Sequence, residues 1–381
     1  MDRTAALRLD AEWAKVRSGR AGVSPGERER MLTDLIAALA PHADDDLSLA
    51  ARLSLRYGDL ARHHFDTGRR EDALSAVGEA VRRCAEPARH DEEHARWYAR
   101  ALINQSVYLA EPLSDELGMP RYAFHANGEQ PPPVDREDGL AALAATRRAI
   151  EVWESLDGSK PRNREGLAQA HVFLGDRLEE LGEPVDAAAW AVRAEREFQT
   201  LWSAAPEAPD APGAADAPDA RATAHAAALE HLGDQLERRL RRCPFDGGLT
   251  RLREQDLLPE RLLPLAVVAA RIEGVEADAI AEGLRLDGTE VRRILRAHSW
   301  RAVWRFDVQE ADGTWTPMTY PWRGRDAVAD RSAEAVAAEL TDAFLHSPDR
   351  PPPSVHWRIA VWWEEEDHLD GARFRLTYAP P

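Results

Sequence analysis

Apolar positions in the N-terminal half of the chain recur every three or four residues, which predicts a series of amphipathic helices. The clearest segment is Ser54–Pro87, where apolar and small residues share one face of two helices on either side of a turn at Gly68. Two antiparallel helices reach contact distance only where side chains are short, as at Ala61, Ala73 and Ala80. The segment therefore predicts a helical hairpin.

The same pattern occurs again 114 residues further along the chain, at Ala168–Leu201, with Gly182 at the turn. Its small and apolar positions match those of the first copy and are Leu174, Gly175, Leu178, Ala187, Ala191 and Ala194. A third copy is divided, with its two helices predicted at Glu93–Glu111 and Glu137–Leu156. Repeats of this length predict stacked helical hairpins.

These residues at these offsets resemble the tetratricopeptide repeat (TPR), over about Asp44–Arg242. The resemblance implies an α-solenoid whose first helices line a groove that binds a protein or peptide. Carried over by position, the groove residues would be Arg62, Phe65, Asp66, Ile103, Val107, Asp176, Glu179 and Glu180. The carboxylates at one end imply a basic peptide as the partner.

A long insertion, Pro112–Asp135, separates the two helices of the divided copy. Long ordered loops in compact helical arrays are often functional. We therefore predict that Tyr122, Phe124 and His125 anchor a partner. The alternative is a mobile surface insertion without a binding role.

Beyond the repeats, the composition predicts several further segments. Residues 204–222 are rich in alanine, proline and aspartate, which predicts a linker or loop. A capping helical hairpin follows, because a solenoid needs a final element to cover its last apolar face. The predicted divisions are 1–203 for the repeats, 204–222 for the linker, 223–256 for the cap, 257–300 for a helical segment and 301–381 for a C-terminal domain.

The segment Ala279–His298 predicts two short helices around a turn at Leu286-Asp287-Gly288. This order resembles a helix-turn-helix DNA-binding unit. The resemblance assigns DNA contacts to Thr289, Arg292, Arg293 and Arg296. Arg285 and Glu290 depart from the pattern, since the turn favours glycine and a carboxylate repels phosphate. The alternative is a packing module whose arginines pair with acidic neighbours.

From Ala302 the apolar period changes to two, which predicts strands. A tight turn at Asp312-Gly313 joins the first two strands, and Ser332–His346 predicts an amphipathic helix. Two further strands are predicted at Val355–Trp363 and Ala372–Tyr378. The predicted fold is therefore mainly α: a TPR-like solenoid, a helix-turn-helix-like segment and a small tryptophan-rich ββαββ domain of the α+β type.

Charge and motifs narrow the possible functions. A net charge of −18 and a pI near 5.2 disfavour a nucleic-acid coat or a membrane-surface protein. The chain has no nucleotide-binding loop, metal-binding motif or nucleophile motif, which predicts a non-enzyme without cofactor or metal. Cys84 and Cys243 are interpreted as two unrelated thiols. The N-terminus has no signal-peptide pattern, so a cytoplasmic location is expected.

The sequence thus predicts a cytoplasmic adaptor or regulator that binds a protein or peptide through a TPR-like groove. The alternative is a transcriptional regulator that binds DNA through residues 279–298, with the repeats as its sensor. A weaker alternative is an enzyme whose site lies in the C-terminal domain. The oligomeric state is left open.

Overall fold

The computed structural model describes residues 3–17, 23–110, 134–203, 217–319, 321–348, 350–352, 354–363 and 372–379. The predicted anchors Tyr122, Phe124 and His125 therefore lie outside the described residues, as does most of the predicted linker. The chain divides into two compact units, Met1–Leu229 and Glu230–Pro381.

Unit 1 is built from helices that pack as successive antiparallel pairs. Its helices before the linker are α1 (Arg3–Arg17), α2 (Pro25–Ala43), α3 (Leu47–Asp66), α4 (Arg70–Cys84), α5 (Glu92–Ala110), α6 (Arg136–Glu154), α7 (Pro161–Glu180) and α8 (Pro184–Ser203). Helix α3 packs on α4, α5 on α6 and α7 on α8, while the first helices also touch, α3 with α5 and α5 with α7. Unit 1 is a helical-repeat array, as the sequence predicts.

The turns of the two clear copies, at Gly68 and Gly182, have the same geometry. Both glycines adopt the left-handed conformation, with φ of 77° and 82°. In each turn, the amide of the residue after the glycine donates to the carbonyl five residues earlier, from Arg69 to His64 at 2.8 Å and from Glu183 to Leu178 at 2.9 Å. Glycine adopts this conformation without a Cβ penalty, so it ends the first helix of each hairpin.

Small side chains lie where the paired helices touch. Ala61, Ala73 and Ala80 are at most 1% exposed, and Ala187 and Ala194 of the second copy are fully buried. In the divided copy, the corresponding contact is polar, because the buried hydroxyls of Ser106 on α5 and Thr146 on α6 share a hydrogen bond of 2.7 Å. The small-residue positions are therefore the contact positions that the sequence predicts.

We expect Ala61→Leu to lower the free energy of unfolding of unit 1 by about 1–3 kcal/mol, because the added methyl groups separate α3 from α4. Ala144→Leu is the matched control, since Ala144 is exposed on α6. Urea titration followed by far-UV circular dichroism measures both. Equal stability of the two variants would contradict the close-contact interpretation.

The helical part of unit 2 contains the predicted helix-turn-helix segment. Its helices are the C-terminal part of α9 (Ala217–Arg242), then α10 (Thr250–Glu254), α11 (Leu263–Ile272), α12 (Ala277–Leu284) and α13 (Gly288–Ala297). Helix α11 packs against both α12 and α13. Arg285 takes the left-handed conformation that ends α12, with φ of 53°, and Asp287 caps α13 by accepting from the Thr289 amide at 2.7 Å.

The rest of unit 2 is an antiparallel sheet with one helix. Its elements are β1 (Ser299–Gln309), β2 (Trp315–Pro317), β3 (Arg323–Ala329), α14 (Ala333–Leu345), β4 (Trp357–Trp363) and β5 (Phe374–Tyr378). One edge of β1 pairs with β2 and β3, and the other edge pairs with β4, which pairs with β5. Phe306, Phe344 and Trp357 lie at the centre of the core between α14 and the sheet.

The α+β fold is confirmed, with one strand more than the predicted ββαββ order. The added strand β3 has a single buried residue, Val328, among exposed or half-exposed neighbours. Its sequence therefore lacks the alternation of apolar and polar residues that marks a strand. Pairing with β1 along its whole length, from Arg323 to Ala329, holds it in the sheet.

Candidate functional site

A cavity of about 650 Å³ lies between α5 and α7, the first helices of two neighbouring hairpins. Its floor is apolar and is formed by Ile103, Trp153 and Ala170. Trp97 of α5 and Phe173 of α7, both half-buried, add aromatic surface to the lining. The volume lies within the range of ligand cavities in proteins.

Gly166 allows α7 to lie directly on the floor of the cavity. A Cβ atom at this position would lie 2.5 Å from the indole of Trp153. No real Cβ makes so close a contact, so any larger residue requires the indole to move. Trp153 itself is only 4% exposed and packs in the core of α5, α6 and α7. The glycine therefore fixes the depth of the cavity.

Polar side chains form the rim of the cavity and are available to a ligand. They are exposed and, within the described part of the chain, they make no hydrogen bond or ion pair. They are Arg100 and Asn104 of α5, and Arg162, Glu165 and Gln169 of α7. The rim thus offers two guanidinium groups, two amides and one carboxylate.

A polar network joins the N-terminal ends of α5 and α7. The Asn163 amide donates to Glu92 at 2.8 Å, and Arg96 forms an ion pair with the same carboxylate at 3.1 Å. Lys160 also pairs with Glu92. The hydrogen bond from Asn163 contributes most to lowering the pKa of Glu92, and the bond from Lys160 contributes next. These bonds close one end of the cavity and fix the spacing of the two helices.

The corresponding space between α1 and α3 is filled by ion pairs. The carboxylate of Asp10, which is 5% exposed, pairs with Arg52 at 2.8 Å and with Arg56 at 2.7 Å. The indole of Trp13 donates to Asp59 at 2.7 Å. Side chains of α3 therefore hold α1 against this face of the array.

The contrast between the two spaces follows from three repeat positions. Arg52, Arg56 and Asp59 of α3 make the contacts to α1. The residues of α7 at the same repeat positions, 114 residues later, are Gly166, Ala170 and Phe173. None of the three carries a charge, and two are small. Where α3 uses long charged side chains to bind its neighbour, α7 therefore leaves an open cavity.

The sequence-predicted groove residues lie in several different environments. Ile103 lines the cavity. Phe65 stacks on Tyr108 at 4.6 Å, and Val107 packs on the same cluster, so both contribute to the core of α3, α4 and α5. Arg62 and Asp66 are exposed on α3, with 3.8 Å between the charged groups.

The predicted acidic end of the groove lies in the C-terminal half of α7. Asp176 and Glu179 are half-buried. Glu180 forms an ion pair of 3.1 Å with Arg177, and both side chains are 8% exposed. The carboxylate of Glu180 is therefore turned into the protein rather than toward a groove.

Most of the cavity residues were not predicted from the sequence, although the sequence carries a signal for some of them. Stepping back from Ile103 by three, six and seven residues along a helix gives Arg100, Trp97 and Arg96, all of which line the cavity. Arg162, Glu165 and Gly166 were missed because α7 begins at Pro161, ahead of the predicted start of its repeat at Ala168. Trp153 comes from a second helix, which the resemblance does not place on the groove.

A second candidate site is the exposed face of α13. Val291, Ile294 and Leu295 are buried on the opposite face of this helix. The residues assigned to DNA contact share the exposed face and are Thr289, Arg292, Arg293 and Arg296. The helix therefore presents them to solvent together.

Two of these arginines have carboxylate partners. Arg292 pairs with Asp278 at 2.6 Å, and Arg293 makes two hydrogen bonds to Glu290, at 2.8 and 2.6 Å. The bond from Arg293 lowers the pKa of Glu290. Arg296 has no partner within the described part of the chain. The face is thus less positive than the number of its arginines indicates.

The described residues contain no group of three or more histidine, cysteine, aspartate or glutamate side chains placed to hold a metal ion. None of their helices combines the length and the apolar character that crossing a membrane requires. Cys84 and Cys243 are buried free thiols, and burial raises the pKa of Cys84 to about 11.

No protein-family model and no curated protein matches the sequence. Among solved structures, the crystal structure of the apo form of RapI is similar over 77% of this chain and 100% of the RapI chain. The sequence identity is 13% and the TM-score is 0.37, a level at which the similarity carries no argument. The packing of the hairpins and the sheet therefore defines the class: a helical-repeat protein with a C-terminal α+β unit.

We expect Gly166→Ala to destabilise unit 1 by about 1–3 kcal/mol, since its methyl group displaces the indole of Trp153. Gly78→Ala is the matched control, because Gly78 lies in α4 with nothing within 4 Å of an added Cβ. That control is expected to be neutral or to stabilise the helix by up to about 1 kcal/mol. Urea unfolding distinguishes the two variants. A Gly166→Ala variant as stable as the control would contradict the close approach of Gly166 to the Trp153 indole.

Proposed function

We propose that unit 1 binds an extended peptide segment of a partner protein in the cavity between α5 and α7. The observation that carries this proposal is the open space at repeat positions that α3 fills with ion pairs. The residues of α7 at these positions are uncharged, so they do not form the stabilising ion pairs that α3 makes to its neighbour. A ligand that occupies the cavity supplies the missing contacts.

The lining favours a particular kind of peptide. Trp97 and Phe173 offer aromatic surface to an apolar or aromatic side chain, which is the usual anchor of a peptide interface. The amides of Asn104 and Gln169 can pair with the peptide backbone, and the two rim arginines favour a carboxylate beside the anchor. The peptide we propose is therefore acidic and aromatic, unlike the basic peptide expected from the sequence.

The proposed role is that of a cytoplasmic adaptor or regulator, with repeats of the tetratricopeptide type. The shared offsets, the left-handed glycine turns and the contacts between successive first helices support this assignment. The proposal includes no catalytic step and no cofactor. Binding alone, transmitted to a partner, is the activity.

Panning a displayed random-peptide library on the full chain tests this proposal. We expect the selected peptides to share an aromatic residue next to an acidic one. Fluorescence anisotropy of a labelled selected peptide is then expected to show about a tenfold or greater loss of affinity for Phe173→Ala and for Arg100→Ala, as for other interface anchors.

Arg147→Ala is the matched control for that experiment. Arg147 is exposed on α6, and no partner for it lies within the described residues, so its loss is expected to leave affinity unchanged. Peptides without a consensus, or equal affinity of wild type and Phe173→Ala, would show that this cavity is not the binding site.

A second candidate function is DNA binding through α13. The observation that favours it is the shared exposure of Thr289, Arg292, Arg293 and Arg296 on one face of a helix that follows a helix-turn-helix bend. Phosphate contacts would replace the existing pairs with Asp278 and Glu290. Binding of this kind is expected to weaken steeply with salt.

A gel-shift titration with a mixed-sequence DNA duplex at several salt concentrations tests the second function. We expect the double variant Arg292→Ala, Arg296→Ala to lose about two phosphate contacts, which lowers the salt slope by about 1.8. Glu290→Gln is expected to strengthen binding, because it removes a carboxylate from the helix face. Unchanged binding of the double variant would exclude α13 as the DNA-binding element.

A further inference from the structure

Strand β5 lies at one edge of the sheet in unit 2. It pairs with β4 along one side, and none of the described strands pairs with its other side. The backbone amides and carbonyls that point away from β4 therefore have no strand partner in the described sheet. An edge of this kind can bind an added strand through main-chain hydrogen bonds.

One face of β5 continues the apolar core of the sheet but is only partly covered. Phe374, Leu376 and Tyr378 lie on this face, opposite core residues of β4. Leu376 is directly paired with Ile359, which is fully buried, yet Leu376 itself is 41% exposed. The fold therefore buries β4 and leaves the centre of β5 open to solvent. An added strand would cover that apolar side chain.

The opposite edge of the sheet has a different character. Its longer strand, β3, carries charged side chains at Arg323, Arg325 and Asp326 and has a single buried residue, Val328. Charged side chains on an edge strand oppose the addition of another strand. Strand addition is therefore favoured at β5 and disfavoured at β3.

The sequence of β5 is symmetric about Leu376 in the class of its side chains. On either side of Leu376 stands a polar residue, Arg375 or Thr377, and beyond it an aromatic residue, Phe374 or Tyr378. Two antiparallel copies of such a strand, related by a two-fold axis at Leu376, match over their whole length. A two-fold interface requires this self-complementarity, because both copies use the same surface.

This register places compatible side chains opposite one another. Leu376 lies opposite its own copy, and Phe374 of one copy lies opposite Tyr378 of the other, a cross-strand aromatic pair that stabilises a sheet. On the other face, Arg375 lies opposite the neutral Thr377, so no like charges are directly paired. Moving the axis to Arg375 would bring two guanidinium groups together and shorten the paired stretch.

We infer that unit 2 associates with a second copy of this chain through β5, which forms an antiparallel strand pair across a two-fold axis at Leu376. The partner is a second copy rather than an unrelated peptide, because the symmetric sequence of β5 matches itself. The charged edge at β3 limits the assembly to two chains. A pair of five-residue strands is a small interface, so the association is weak and depends on concentration.

Sedimentation equilibrium of the full chain over about a hundredfold range of concentration tests the inference. The average mass is expected to rise from 42.4 kDa toward twice that value. Leu376→Lys is expected to weaken the association by about tenfold or more, because it places two ammonium groups opposite each other at the axis. Leu140→Lys is the matched control, since Leu140 of α6 is 50% exposed, and it is expected to leave the association unchanged.

Oxidative cross-linking with copper–phenanthroline locates the axis. Leu376→Cys places two thiols on directly opposite residues, with Cα atoms about 5 Å apart, a distance that a disulfide spans. It is expected to cross-link about tenfold faster than Arg375→Cys or Thr377→Cys, whose copies are displaced along the strands by about 7 Å. The native thiols, Cys84 and Cys243, are buried. Circular dichroism confirms the folding of each variant, and the cysteine variants test the surface even if Leu376→Lys does not fold.

Three results would overturn the inference. The first is a constant mass of 42.4 kDa at every concentration. The second is an association that folded Leu376→Lys and Leu140→Lys affect equally, which would assign it to another surface. The third is cross-linking of Arg375→Cys or Thr377→Cys that is as fast as that of Leu376→Cys, which would exclude the axis at Leu376. Peptide binding by unit 1 is independent of all three.

Discussion

Close contact between paired helices is possible only where both side chains are short, and this constraint organises unit 1. Ala61 packs in one cluster with Ala73 of the second helix of its hairpin, and the same two positions are small in the later copy. Hairpins of equal geometry then place their first helices side by side. The residues on the facing sides of neighbouring first helices differ between copies. Their side chains determine whether the space between the two helices is filled or open.

The difference between α3 and α7 shows how one fold gives two surfaces. Arg56 of α3 reaches a buried carboxylate of α1, whereas its counterpart in α7, Ala170, lies on the floor of a cavity. The candidate site therefore arises from differences between the two copies at positions that face the neighbouring first helix.

Local signals predicted the hairpins well, because contact positions, turns and caps depend on a few neighbouring residues. Gly68 ends α3, as the sequence indicates, and Ser24 caps α2 in a capping box with Glu27. The cavity could not be predicted in the same way. Its rim is polar and carries no periodic apolar signal, and its floor includes Trp153, which only the packing of α6 against α7 brings there. Strand β3 was missed for a related reason, since pairing with β1 rather than its own sequence holds it in place.

Net charge describes this protein poorly at the scale of its surfaces. The chain is acidic overall, yet the cavity rim and α13 each present guanidinium groups. A ligand that approaches at physiological salt experiences charges within about 8 Å. The local arrangement of charged side chains, rather than the net charge of the chain, therefore determines which anions bind and where.

An experimental structure of the chain with a library-selected peptide would test the central claim most directly. We expect the peptide to lie between α5 and α7. Its apolar side chain should contact Phe173, and its carboxylate should lie within hydrogen-bonding distance of Arg100 or Arg162. Peptide bound elsewhere, or a cavity occupied by the protein's own chain, would contradict it.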